Sequence, residues 1–198
     1  MATAKRRASA RKVPVPGPEI VTGRLILSRL SAADSVALFS YRRLPEVSRY
    51  QNWEPQSLGD AAEFIDGLAT VEFDTPGTWF QFGIRLRESG DLVGDFGVHF
   101  LEDGQQAEIG VTLAPEWQGL GLGSEALIAV LDCLFGPMGK HRVVASVDPR
   151  NTPSVTLMRR VGMRQEAHFR QSLRFKGEWV DDVVFAALGP EWLERRQG

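Results

Sequence analysis

The sequence predicts a single α/β domain of the α+β kind, with strands and helices in mixed order, behind a short unstructured leader. Three observations predict it. From Gly23 onward, strand-like runs interchange with helix-like runs whose apolar residues recur three and four positions apart. A glycine-rich junction, Trp117-Gln118-Gly119-Leu120-Gly121-Leu122-Gly123-Ser124-Glu125-Ala126, joins one strand-like run to one helix-like run. At 198 residues, 43% hydrophobic and 24% charged, the chain is long enough for one substantial core and short for two.

The elements follow in order. Arg24-Leu25-Ile26-Leu27-Ser28-Arg29-Leu30 is a first strand with partial alternation. Ser31-Ala32-Ala33-Asp34 caps a helix carrying Val36, Leu38 and Phe39. An aromatic and charged loop, Tyr50-Gln51-Asn52-Trp53-Glu54-Pro55, precedes a helix that starts near Ser57 and runs through Ala61, Phe64, Ile65 and Leu68. Strands are expected over Trp79–Leu86, Leu92–Leu101 and Ala107–Leu113. After the glycine junction, Leu127, Val130, Leu131 and Leu134 stand at i, i+3, i+4 and i+7 of a helix over Leu122–Phe135. Arg142–Val147 is a near-continuous apolar run, the mark of a buried strand. A helix from Pro153 to Val161 is closed by Gly162. Two last strands, His168–Phe175 and Val180–Leu188, are joined by a hairpin at Lys176-Gly177-Glu178.

Composition excludes several classes. Residues 1–20 read as a disordered tail: Met1–Pro18 carries Lys5, Arg6, Arg7, Arg11 and Lys12, no acid and three prolines, and has no apolar centre for a secretory signal. The remainder, with its folded domain over residues 21–195, holds 18 basic against 25 acidic residues, a net of −7, which argues against nucleic acid as a partner and favours a cationic acceptor. No run approaches the roughly 18 apolar residues of a membrane span. Cys133 lies in an apolar helix, no disulfide framework exists, and a cytoplasmic setting follows. His99, His141 and His168 lack metal-ligand spacing, so no metal site is expected.

The junction carries the chemistry. Alternate glycines before a helix free its backbone N–H groups, and a helix start is an anion site. A Walker A loop requires Gly-Lys-Ser/Thr, but Gly123 is followed by Ser124-Glu125. A dinucleotide fingerprint requires G-x-G-x-x-G, and the spacing here is G-x-G-x-G. An ordinary glycine-rich turn accounts for the same residues. Gln118-x-x-Gly121-x-Gly123 resembles the Q/R-x-x-G-x-G/A loop of the GCN5-related N-acetyltransferases (GNAT), and Asn151-Thr152-Pro153-Ser154 through Gly162-Met163 resembles the N-x-x-S…G-F/M signature of members related to ribosomal-protein alanine N-acetyltransferases. The likeness spans about Arg24 to Leu188.

That resemblance implies one GNAT domain with a mixed central sheet of about seven strands and flanking helices. The fourth and fifth strands, Ala107–Leu113 and Arg142–Val147, would splay apart, the fourth being bulged. It implies acetyl-coenzyme A as cofactor. Gln118, Gly119, Leu120, Gly121, Leu122 and Gly123 would hold pyrophosphate; Val111, Leu113, Asn151 and Ser154 would hold the pantetheine arm. Many relatives carry a tyrosine at or beside Met158 as general acid; Ser154 is the substitute candidate, and unassisted thiolate departure is the alternative. For the base, Glu108 leads, sharing a strand face with Gly110 and Thr112, and Asp95 is the rival. Asp181 and Asp182 are weaker candidates.

The acceptor would be a primary amine, of a protein N-terminus or a small molecule. Tyr50, Trp53, Glu54 and Trp79, with Tyr41 and Phe80, are candidates for an aromatic and acidic substrate wall. The loop Glu46–Pro55 also looks like that of some aminoglycoside 6′-N-acetyltransferase-like members. A catalytically degenerate coenzyme A-binding scaffold is the non-enzymatic alternative. In the resembled family, terminal strands often support a homodimer.

Overall fold

The computed structural model describes residues 17–197. The basic part of the expected tail, residues 1–16, lies outside the described residues. Ile20, at the tail's expected end, is already paired in a strand. The strands are Ile20–Val21 (β1), Leu25–Arg29 (β2), Thr78–Leu86 (β3), Leu92–Phe100 (β4), Gln106–Leu113 (β5), Arg142–Val147 (β6), Arg164–Phe175 (β7) and Glu178–Leu188 (β8). They form one mixed sheet in the order β1-β2-β3-β4-β5-β6-β8-β7. Its one more strand than expected is β1, whose two residues are too few to show a period. Among the described strands only β5 and β6 run parallel.

Among the described residues six helices flank the sheet: Ser35–Arg42 (α1), Pro45–Ser48 (α2), Leu58–Leu68 (α3), Leu122–Phe135 (α4), Thr152–Val161 (α5) and Gly189–Gln197 (α6). Local chemistry explains their bounds. Ser57 accepts the Asp60 N–H while the Asp60 carboxylate accepts the Ser57 N–H, a reciprocal cap that starts α3. Asn151 Oδ1 accepts the Ser154 N–H at 3.3 Å, Pro153 fills the first turn of α5, and Gly162 at φ 90° closes it. Lys176 and Gly177, both at positive φ, make the two-residue turn between β7 and β8. Sequence patterning misses α2, a single turn, and α6, whose Gly-Pro start reads as a breaker. Pro190 is tolerated in that first turn, and Trp192 fixes α6 to α4 by burial and a 2.8 Å hydrogen bond from its Nε1 to Asp132.

The sheet has two unlike faces. One carries Phe80, Phe82, Phe96, Val98, Phe100 and Ile109 and packs on Leu127, Val130, Leu131 and Leu134 of α4, forming the main core. Phe80 is thus a core residue, not part of a substrate wall. On the other face, α1–α3 cover one end with Leu38, Tyr41, Ala61 and Ile65. Asp95 joins that cover to the sheet: it is 1% exposed and accepts from the Tyr41 hydroxyl at 2.7 Å, from Arg42 and from the Gln81 amide. Tyr41 is buried in the same contact. Asp95→Asn keeps the shape but removes the charge facing Arg42; a loss of about 2–3 kcal/mol in urea unfolding is expected, with the native fold retained.

The feature that positions the site is where β5 leaves β6. Their parallel pairing covers Gln106–Glu108 against Arg142–Val144 and then stops. Beyond it β5 stays paired with β4 up to Leu113, and β6 with β8 up to Val147. Each strand follows its outer neighbour, and a V opens between them. The expected splay is present. The expected bulge is not, because the β4–β5 register is continuous from Ala107 to Leu113.

Candidate active site

Backbone direction decides what the V offers. The Ala114 N–H donates to Val93 on the β4 side, whereas the Leu113 carbonyl accepts from Gln118 Nε2 at 3.0 Å and the Gln105 carbonyl accepts from His141 on the β6 side. Since alternate residues of a strand point their backbone groups to opposite edges, the N–H and C=O of Val111 and Leu113 face the open slot. Both residues line a cavity of about 690 Å³ together with Gln118, Gly119, Gly121, Gly123, Asn151 and Ser154.

The glycine loop forms the cavity's far end. Gly119 and Gly121 have φ of 74° and 79°, which side-chain-bearing residues rarely adopt. Gly121 is the N-cap of α4 and provides no side-chain cap. The first intrahelical bond joins Glu125 N–H to the Gly121 carbonyl, so the N–H groups from Gly119 through Ser124 have no protein partner among the described residues. They lie at a helix start, where the dipole adds about half a positive charge. Gly123 is buried, and a Cβ there would meet Leu113 and Leu157 at 3.5 Å, so glycine lets α4 approach both β5 and α5. Leu120 and Leu122 contribute backbone alone: the Leu120 side chain is exposed and that of Leu122 is in the core.

The cavity wall opposite β5 is one face of α5. Ser154, Leu157 and Arg160 line it at three-residue spacing, and Arg49 and Arg150 add two further guanidinium groups. Asn151 serves as helix cap through Oδ1, and its amide nitrogen has no protein partner among the described residues. The position where many relatives carry tyrosine is filled by Met158, which is buried. Arg49, Arg150 and Arg160 were missed as site residues in the sequence; a helical-face count from Ser154 reaches Arg160, whereas Arg49 and Arg150 arrive through the fold.

Glu108 lies at the apex of the V on the opposite sheet face. Cross-strand pairs set its neighbours: His99 against Glu108, Gly97 against Gly110, Asp95 against Thr112, and Trp79 against His99. Gly110 is exposed, with no atom within 4 Å of where a Cβ would stand, so space lies open beside the carboxylate. Glu108 Oε2 is 4.0 Å from His99 Nδ1. Burial pushes the Glu108 pKa above the usual carboxylate value; His99 opposes that rise and the Asp182 charge adds to it. Trp79 is 43% exposed and stacks on His99 with centroids 5.0 Å apart.

Apart from Tyr50, the other expected site residues go elsewhere. Asp95 has its carboxylate committed to Tyr41, Arg42 and Gln81 and does not line the cavity. Trp53 stacks on Phe64 at 4.3 Å under α3, and Glu54 pairs with Lys176 at 3.2 Å. Tyr50 does line the cavity, its hydroxyl donating to the Arg150 carbonyl at 3.2 Å. Asp181 is bound to His168, and Asp182 accepts from Ser146 Oγ at 2.6 Å. A second cavity of about 470 Å³ shares Arg49, Tyr50 and Arg150 with the first and adds Phe175, Lys176, Glu178 and Val180. Its wall sets Arg49, Arg150 and Lys176 against Glu178, with Arg150 paired to Asp148 and Lys176 to Glu54, so the Tyr50–Pro55 loop does not make the acidic wall expected.

This donor set fits acetyl-coenzyme A. Free N–H groups at a helix start suit a pyrophosphate, the Val111 backbone and the Leu113 N–H at the strand edge suit an amide-bearing arm, and the Arg49 and Arg160 guanidinium groups suit further phosphate. Comparison with known proteins agrees. Residues 24–164 match the family model described as the acetyltransferase (GNAT) domain. An uncharacterized N-acetyltransferase, YnaD of Bacillus subtilis (strain 168), is 29% identical over 173 residues, covering 87% of this chain and 98% of the relative. The [ribosomal protein uS5]-alanine N-acetyltransferase of Escherichia coli (strain K12) is 29% identical over 189 residues, 92% of this chain and 96% of its own. The crystal structure of a GNAT-family acetyltransferase from Bacillus anthracis superposes with a TM-score of 0.80 at 27% identity, covering 87% of this chain and 99% of that one.

Proposed function

Because this chain belongs to the acetyltransferase (GNAT) family, we propose that it transfers acetyl from acetyl-coenzyme A directly to a primary amine within a ternary complex, the amine being the N-terminus of a polypeptide. The observation that carries the reading is the parting of β5 from β6 after Glu108, with free N–H groups at one end of the slot and an open, carboxylate-bearing sheet face at its apex.

Acetyl-coenzyme A supplies the acetyl group as a thioester. The N–H groups of Gly119–Ser124 hold its pyrophosphate, and Val111, Leu113, Asn151 and Ser154 hold the arm. An N–H of the Val111–Leu113 edge is placed to donate to a carbonyl oxygen. Glu108 takes the proton of the entering ammonium directly or through one water, its raised pKa bringing it nearer the amine's working range. The Ser154 hydroxyl, in the first turn of α5, is the proton donor to the departing thiolate, and the second proton lost by the nitrogen as the amide forms is returned to Ser154. Met158 supports this reading, since its thioether has no proton to give.

A polycation finds no surplus of acids beside the donor site. Arg49, Arg150 and Lys176 line the cavity beside the donor site against one acid, Glu178, while Arg150 is paired with Asp148 and Lys176 with Glu54, the one candidate acid of the Tyr50–Pro55 loop. A polyamine or an aminoglycoside would bring several positive charges to that wall; a peptide brings one ammonium. The relative from Escherichia coli is named for an alanine of a ribosomal protein, and a small first residue suits the open space over Gly110.

The test is thiol release from acetyl-coenzyme A with a panel of peptides beginning Ala, Ser or Leu, together with spermidine and an aminoglycoside. Turnover with Ala- or Ser-peptides is expected; turnover confined to the polycations would overturn the peptide reading. Tight coenzyme A binding with no turnover on any amine would leave a scaffold. On the productive acceptor, Trp79→Ala is expected to raise KM about tenfold, because its stacked ring forms a wall of the open face, while the Kd for coenzyme A in calorimetry stays unchanged.

A further inference from the structure

Arg24 stands outside both sequence motifs, 96 residues before Leu120 of the glycine loop, yet it is tied to that loop from behind. Its backbone N–H donates to Glu125 Oε1 at 2.8 Å, its Nε to Glu125 Oε2 at 2.7 Å, and its Nη1 to the Leu120 carbonyl at 3.0 Å. Thr22 Oγ1 adds a 2.6 Å bond to the same Glu125 carboxylate. Neither Arg24 nor Glu125 lines the donor cavity; Arg24 faces a separate hollow with Trp117, Leu120 and Leu122.

Two consequences follow. The Leu120 carbonyl and the Gly121 N–H belong to one planar trans peptide, so they point in opposite directions. With the carbonyl fixed toward Arg24 behind the loop, the Gly121 N–H faces forward, on the side where Gly121 lines the cavity. The second concerns Glu125. A carboxylate in the first turn of α4 is drawn to the same helix start that attracts a phosphate. Here Thr22 and Arg24 hold it on the rear side and neutralise it.

We propose that Arg24 is a positioning residue for the donor: it orients the Leu120–Gly121 peptide toward the phosphates and keeps the Glu125 carboxylate from competing with them. The proposal rests on reading Gln118–Gly123 as the pyrophosphate loop.

The experiment compares two acyl donors, acetyl-coenzyme A and S-acetyl-pantetheine, which lacks every phosphate. Arg24→Ala is expected to raise KM for acetyl-coenzyme A and Kd for coenzyme A about tenfold, with KM for S-acetyl-pantetheine unchanged. Arg24→Lys, which keeps the charge but lacks the fork that reaches both partners, is expected to fall between. Adding Glu125→Gln to Arg24→Ala is expected to restore part of the affinity, because the competing charge is gone. Equal losses on both donors would mean a merely structural role and overturn the proposal, as would an unchanged Kd; absence of any restoration in the double variant would overturn the part assigned to Glu125. The loop reading itself fails separately: Gly121→Val with unchanged coenzyme A affinity sinks it, whereas loss there with Arg24→Ala unaffected sinks only the role of Arg24.

Discussion

Gly121→Val is expected to weaken coenzyme A binding by at least about a hundredfold while leaving a folded protein. Gly121 is the N-cap of α4 at φ 79°, where a β-branched residue is strained by about 1–3 kcal/mol. The loop can relieve that strain only by turning the peptides on either side, and those peptides carry the N–H groups that face the cavity. A hydrogen bond to a charged group is worth about 1.5–3 kcal/mol, so losing two of them is a loss of a hundredfold or more. The fold should persist because α4 is held along its length by Leu127, Val130, Leu131 and Leu134 in the main core. Calorimetry with coenzyme A and a thermal melt check both halves: a melt lowered by a few degrees with binding abolished is the expected pair. Wild-type affinity would place the phosphates elsewhere.

The geometry of the glycine loop and of the α5 start, on which the proposed donor side rests, was legible in the sequence because it is local. Alternate glycines before a helix, an asparagine cap with proline in the first turn, and a closing glycine are each dictated within a few residues, and each appears where the pattern placed it. The acceptor side was legible only in part. Glu108, Gly110 and Thr112 share a face by the period of the strand, so that face could be read. Asp95 has the same kind of placement on its own strand, but α1 covers it and brings Tyr41 and Arg42 to its carboxylate; nothing within β4 announces that cover. Glu54 and Lys176 are 122 residues apart, and their pairing depends on where the β7–β8 hairpin comes to lie. Arg24 is invisible for the same reason. It reads as the first residue of a strand, and its partners are fixed by the packing of β2 beside α4.

Glu108→Gln is expected to lower kcat by about 10²–10⁴ while making the protein no less stable at neutral pH, and the combination distinguishes a functional carboxylate from a structural one. The magnitude is that of a missing general base. The stability sign follows from linkage. The folded pKa of Glu108 is raised, chiefly by burial, so the neutral acid is the form the fold prefers. Its contribution to stability is fully present below the unfolded carboxylate pKa and is lost as pH rises through the raised folded value. Above that value the wild-type protein carries an ionised, partly desolvated carboxylate, which glutamine removes. His99, 4.0 Å away, offsets part of this cost when protonated, so the gain should be small. The same pKa sets the acid limb of activity: kcat/KM should fall as pH drops through a value above that of an ordinary carboxylate, and Glu108→Gln should abolish that limb together with the rate. Chemical denaturation and a pH profile on one acceptor peptide give both readouts. A variant that loses activity only in proportion to a lost fold, or keeps the acid limb unchanged, would assign the base to another group or to water.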